Sequence, residues 1–212
     1  RSFNVPVYIE NEANLSVIAE KAFHYDYSNM AYLSIHSGIG VGLIINGRLH
    51  TGYNGRAGEI GHTIIEINGR PCPCGNFGCL EQYASERSLL AEFAKLKGLT
   101  ESDFEKFKNA YVNKDPDAVK IMDNFIKYIS IGINNILNAY NPEIIVINSK
   151  FIINFPEVLE QVEATLSSKM NSYLKIVPSR LKDSSILMGG ICVSIKSFLG
   201  IENLKLKQLS VY

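Results

Sequence analysis

Between positions 58 and 85 the chain reads GEIGHTIIEINGRPCPCGNFGCLEQYAS, which gathers His62, Cys72, Cys74 and Cys79 with Glu59 ahead of them and Glu81 behind. Three thiols and one imidazole are the donor set of a closed tetrahedral zinc site, and thiolates favour zinc over magnesium or calcium. With all four positions filled by protein, such an ion has no place for a reactive water and serves to hold a fold together. Gly75 and Gly78 let the backbone turn tightly enough for Cys74 and Cys79 to reach one ion, and Pro73 stiffens the link between the first two thiols. On this reading the ion fixes the loop bearing Glu59 and the helix start bearing Glu81, so that two carboxylates converge on one place.

Two other uses of the thiols stay open. Clustered cysteines form disulfides in secreted proteins, with Cys192 as a further partner, or they are simply buried thiols. Against a disulfide, Cys72 and Cys74 are too close to pair comfortably, and Cys192 sits in an apolar, helix-patterned run. The glycine-rich turn around Ser37, Gly38 and Gly40, in the stretch SGIGVG, could bring bare backbone up to a phosphate; it could equally be only a turn. His24, His36 and His50 have no evident ligand company in the sequence.

The elements that must carry these groups follow from patterning. A chain of 212 residues, 46% hydrophobic and 20% charged, is long enough for one large or two small domains. Formal net charge is zero, so nothing in the balance favours nucleic acid as a direct partner of this stretch. No apolar run has the roughly eighteen residues of a membrane span, and no signal-peptide pattern is present, which with unpaired thiols suits a cytoplasmic setting. The chain opens RSFNVPVYIENEAN without an initiator Met and reads as a fragment of something longer.

Residues 5–9 predict a short strand and 11–23 a helix capped by Asn11. Since one strand and one helix cannot bury their own apolar faces, residues 1–27 are expected to be the tail of a mostly missing N-terminal α/β domain, with 28–212 a C-terminal domain. Residues 31–36, 40–45 and 48–50 predict three meandering strands, the last two joined by the hairpin pair Asn46-Gly47. Helices are expected at 80–97, ended by Gly98, then after a capping signal at 100–103, and at 116–138 behind Asp115-Pro116. Val119, Met122, Phe125, Ile126, Ile129, Ile133 and Ile136 form the core stripe of the long one. A buried strand at 143–148, a helix at 156–170, a strand at 174–177 and a closing helix at 186–199 complete the α/β class prediction.

The stretch 58–85 resembles the signature of the ROK family, which groups repressors, open reading frames and sugar kinases, and the similarity extends over essentially the whole chain. The resemblance implies a ribonuclease H-like fold of the actin and sugar-kinase type, present here as one nearly complete half. It also implies that Asn11, Glu12, Glu59, His62 and Glu81 contact a monosaccharide, His62 while ligating zinc. The family's kinases carry Asp where this chain has Glu12, and that Asp is the base. An extra methylene displaces the carboxylate by about 1 Å, an error worth on the order of a hundredfold in rate. Kinases read Gly-Thr-Gly-Ile-Gly where this chain has His36-Ser37-Gly38-Ile39-Gly40, and a glycine pair where it has Asn148-Ser149-Lys150. Gly189-Gly190 is retained near the closing helix. These departures imply the regulator branch, that of the xylose repressors. There a winged helix-turn-helix domain preceding the chain would bind DNA, zinc would be structural, and the assembly would be a homodimer or tetramer. A glucokinase-like enzyme, with Glu12 as base and ATP and magnesium over Ser37, Gly38 and Gly40, is the alternative.

Overall fold

In a computed structural model, which describes residues 5–206, a five-stranded sheet has the order β3-β2-β1-β4-β5. The strands are β1 (Met30–Ile35), β2 (Ile39–Ile45), β3 (Arg48–Leu49), β4 (Ile144–Asn148) and β5 (Lys175–Pro178). The first three form an antiparallel meander, and β4 and β5 extend it in parallel from β1. Asn46 and Gly47 both have positive φ, 50° and 82°, the backbone a tight turn needs if its twist is to match the flanking strands.

Alternation along the strands decides what each face meets. Leu33, Ile35, Val41, Leu43, Ile145 and Ile147 point into the larger core. There they meet the buried stripe of α5 (Pro116–Tyr140), whose cap Asp115 accepts from the backbone N–H groups of Asp117 and Ala118. Val119 lies at the edge of that stripe, and Ala118 and Ile121 take the buried positions beside it. Met30, Tyr32, Ile144 and Val146 point the other way, against Val17 of α1 (Glu12–Phe23) and Tyr25. Every residue of β4 is buried, because its two faces are covered by these two cores.

Helix α1 begins where the cap was expected, with Asn11 accepting from Ala13 N–H at 2.8 Å. Its apolar side lies on the β2 side of the sheet and against α8 (Ser185–Leu199). Two glycines allow this close approach. A Cβ on Gly42 would come within 2.1 Å of the Ala13 carbonyl oxygen, and one on Gly189 within 2.1 Å of the Leu15 carbonyl oxygen. Buried Glu20, near the other end of α1, accepts from Ser179 Oγ at 2.6 Å and from the N–H groups of Arg180 and Leu181 at 2.9 and 3.1 Å, tying α1 to the loop before α8.

Three local expectations are corrected. Residues 5–9 form no strand: they join no ladder, and Val5, Val7 and Ile9 stand 64%, 79% and 94% exposed. A β-type pattern without a partner strand gains neither hydrogen bonds nor burial. The helix expected at 80–97 is two, α2 (Glu81–Ala84) and α3 (Glu86–Lys97). Ser85 adopts extended backbone between them and caps the second through Ser88 N–H. A short α6 (Lys150–Asn154), capped by Ser149, precedes α7 (Pro156–Thr165), which ends before the expected 170. Between α3 and α5 runs α4 (Phe104–Val112), capped by Asp103.

Candidate functional site

His62, Cys72, Cys74 and Cys79 come together with their ligand atoms all within 4.8 Å of one another, and the cluster could hold a metal ion. His62 ends a single turn of 3-10 helix (Ile60–His62). Gly61 permits that turn because a Cβ there would come 2.2 Å from the Ile39 carbonyl oxygen. The cysteines lie on a loop held by two isolated bridges, Ile64 with Cys79 and Pro71 with Phe77. Gly75 and Gly78 have φ of 100° and 78°, as the tight return between Cys74 and Cys79 requires.

Cys72 Sγ lies 3.5 Å from His62 Nδ1, and Cys74 Sγ lies 3.7 Å from Cys79 Sγ. All four cysteines are free thiols, and 3.7 Å is far beyond the roughly 2.05 Å of a disulfide. Cys192 is buried in α8, away from the cluster. Burial pushes the Cys79 thiol up to about 12, whereas a hydrogen bond from the Asn76 backbone holds the exposed Cys74 below the usual thiol range. Only thiolates ligate metal, so an ion here must offset the burial of charge at Cys79.

The acidic residues flank this cluster. Exposed Glu59 places Oε2 at 3.9 Å from His62 Nε2, so the ring faces thiols with one nitrogen and a carboxylate with the other. Glu81 opens α2 two positions after Cys79; its Oε2 accepts from Ile39 N–H at 3.1 Å and its Oε1 meets Arg87 at 3.3 Å. Asn11 and Glu12 lie at the exposed start of α1. That start reaches the same turn, because a Cβ on Gly40 would sit 3.5 Å from Ala13 Cβ. Gly38 faces Glu81, where a Cβ would be 2.5 Å from Oε2. The turn between β1 and β2, with Ser37 at its tip, is therefore the hub on which α1, the 3-10 turn and α2 meet. None of the five lines the open groove of about 600 Å³ between α5 and the end of α7.

Some supporting residues were not evident in the sequence. Gln82 Nε2 lies 3.5 Å from Cys72 Sγ, the kind of outer hydrogen bond that orients a metal ligand. Arg70 clamps the loop to the helices: its guanidinium covers the Tyr83 ring at 4.7 Å and bonds the Gln82 carbonyl and Glu92 at 2.8 and 2.7 Å. His36 has company from afar, Asn148 at 3.1 Å and Glu86 at 3.9 Å. An arginine two residues before a cysteine carries no signal of stacking, and neither partner of His36 is near it in sequence.

A family model described as "ROK family" matches residues 1–195. The xylose repressor of Bacillus spizizenii is 40% identical over 207 residues, which are 94% of this chain and 53% of that protein. The chain spans about half the length of the curated xylose repressors it matches. Among solved structures, a ROK hexokinase from Thermus thermophilus superposes with a TM-score of 0.82 at 26% identity, covering 91% of this chain and 67% of that one. A ROK family transcriptional regulator, a homologue of the E. coli MLC protein, superposes with a TM-score of 0.76 at 28% identity, covering 93% and 54%. These likenesses agree with the sugar-kinase type of fold expected from the sequence.

Proposed function

The chain belongs to the ROK family, and from that premise we propose that it is the effector-sensing region of a sugar-responsive transcriptional repressor of carbohydrate metabolism, with xylose as the effector. The observation that carries this is the 40% identity to a xylose repressor across 94% of the chain. The site geometry supports it: Asn11, Glu12, Glu59, His62 and Glu81 all belong to elements that meet at the β1–β2 turn, a mixed set of donors and acceptors suited to sugar hydroxyls. In the longer protein a preceding winged helix-turn-helix domain would bind DNA. Residues 1–27 would complete a preceding α/β lobe, and the assembly would be a homodimer or tetramer. A sugar that binds one arrangement of the lobes better than the other shifts their population and with it the spacing of the DNA-binding heads.

Zinc is the ion we assign to the four-ligand cluster. Bond lengths of about 2.3 Å to sulfur and 2.0–2.1 Å to nitrogen give tetrahedral edges of about 3.8 Å between sulfurs and about 3.6 Å from sulfur to nitrogen. Two of the six separations, 3.7 and 3.5 Å, match those edges, and the widest, within 4.8 Å, would have to close about the ion. Bound there, zinc would brace the loop between Glu59 and Glu81 and take no part in chemistry. Elemental analysis is expected to find one zinc per chain; a metal-free, fully folded protein refutes the assignment.

The alternative, a sugar kinase, is favoured by the superposition on a hexokinase. The two are separated in the full-length protein by an operator-binding assay with xylose and a coupled phosphoryl-transfer assay with Mg-ATP and a sugar panel. Xylose is expected to weaken operator binding at least tenfold, and Glu59→Ala to abolish that response. Robust turnover of ATP defeats the repressor reading.

A further inference from the structure

Open α/β sheets hold ligands beyond the C-terminal ends of their parallel strands, and β1 and β4 are such a pair. A phosphate arriving at that rim would be taken by backbone N–H groups. Two of them are already engaged by carboxylates. Ile39 N–H donates to Glu81 at 3.1 Å, and Lys150 N–H, at the start of α6, donates to Glu86 Oε1 at 2.8 Å. Glu86 is 8% exposed. It is fixed from behind by its own N–H, which donates to the His36 carbonyl at 2.9 Å. The His36 ring stands 3.9 Å from its carboxylate and 3.1 Å from the Asn148 amide, so side chains bridge the mouth between the two strands.

We infer that Glu86 is a built-in anion at the β1–β4 rim, filling the position a nucleotide phosphate would need and so excluding nucleotides from this chain. This rests on the repressor reading and deepens it: the sensor answers to sugar alone because its own side chain supplies the negative charge that a cosubstrate would bring. The charged groups facing Glu86 are His36, Lys150 and Asp183. Burial pushes the Glu86 carboxyl above the usual range, and the Lys150 N–H, His36 and the Lys150 charge oppose that push. With Asp183 adding a second negative charge nearby, an incoming polyphosphate meets repulsion that one lysine does not cancel.

The test is titration of the purified chain with Mg-ATP at pH 8, by calorimetry and saturation-transfer NMR. The wild type is expected to show no binding up to millimolar nucleotide. Glu86→Gln keeps an oxygen for Lys150 N–H and nearly the same shape but loses the charge, and should bind at least tenfold more tightly than the wild type. Circular dichroism verifies its fold, and if it does not fold, Glu86→Ser is read in its place. Micromolar binding by the wild type, or a neutral variant that binds no better, overturns the inference. Nucleotide binding without phosphoryl transfer overturns this inference alone, whereas phosphoryl transfer to a sugar overturns the repressor reading as well.

Discussion

Gly189 and Gly190 are neighbours in α8 with opposite surroundings, and substituting each by alanine tests whether α1 is held by backbone contact. A Cβ at Gly190 meets nothing within 4 Å, while one at Gly189 would lie 2.1 Å from the Leu15 carbonyl oxygen and 2.5 Å from its carbon. Both changes gain helix propensity of about 0.5–1 kcal/mol. Only Gly189→Ala must push two helices apart. Reaching even a tight contact of 3.0 Å needs a shift of 3.0 − 2.1 = 0.9 Å against backbone, an overpacking that costs about 1–3 kcal/mol or more. Because the propensity gain is common to both, the two variants should differ by the overpacking cost, roughly 1–3 kcal/mol, or about 2–12 °C in melting temperature for a chain of this size. Thermal unfolding of the metal-loaded chain measures this. If Gly189→Ala melts with Gly190→Ala, α1 is not seated on backbone and the reasoning about how Asn11 and Glu12 are held is wrong.

Other consequences can be checked in the same material. Serine at Cys72, Cys74 or Cys79 should lower zinc content sharply and expose residues 63–78 to proteolysis, while Cys192→Ser leaves metal content unchanged; plasma emission spectrometry and limited digestion read both. Phe125→Ala, fully buried against Phe151, should lose about 3–5 kcal/mol in urea unfolding. Lys97, hydrogen-bonded to Asp115 at 2.8 Å, holds that carboxyl below its ordinary range. The stabilisation is in full above the unfolded value near pH 4 and is lost as pH falls through the depressed folded value. Lys97→Met should flatten that acid limb of the stability curve, and an unchanged limb refutes the pairing.

What could be read from sequence was whatever rests on short-range pattern. The hairpin at Asn46-Gly47, the cap at Asp115 and the left-handed stop at Gly98 each depend on one or two neighbouring residues, and each stands where expected. The clustering of His62 and the cysteines was legible because the ligands are close along the chain. What escaped needed partners at a distance. A serine inside a helical pattern does not announce that it will break the helix and cap the next one, as Ser85 does. His36 and Asn148 are 112 positions apart, and only the parallel pairing of β1 with β4 makes them neighbours. The apolar residues of 5–9 carry a strand pattern, but a pattern cannot supply the ladder that would make it one.

The sheet's two margins set a rule for association. One ends in β3, two residues long, and the other in β5, four residues closing on Pro178. Neither offers a row of unpaired backbone long enough to template another strand. Among the described residues, then, a contact between copies would fall to the side chains of helices and loops, and a mutation that alters such a contact is to be sought there, not along the strands.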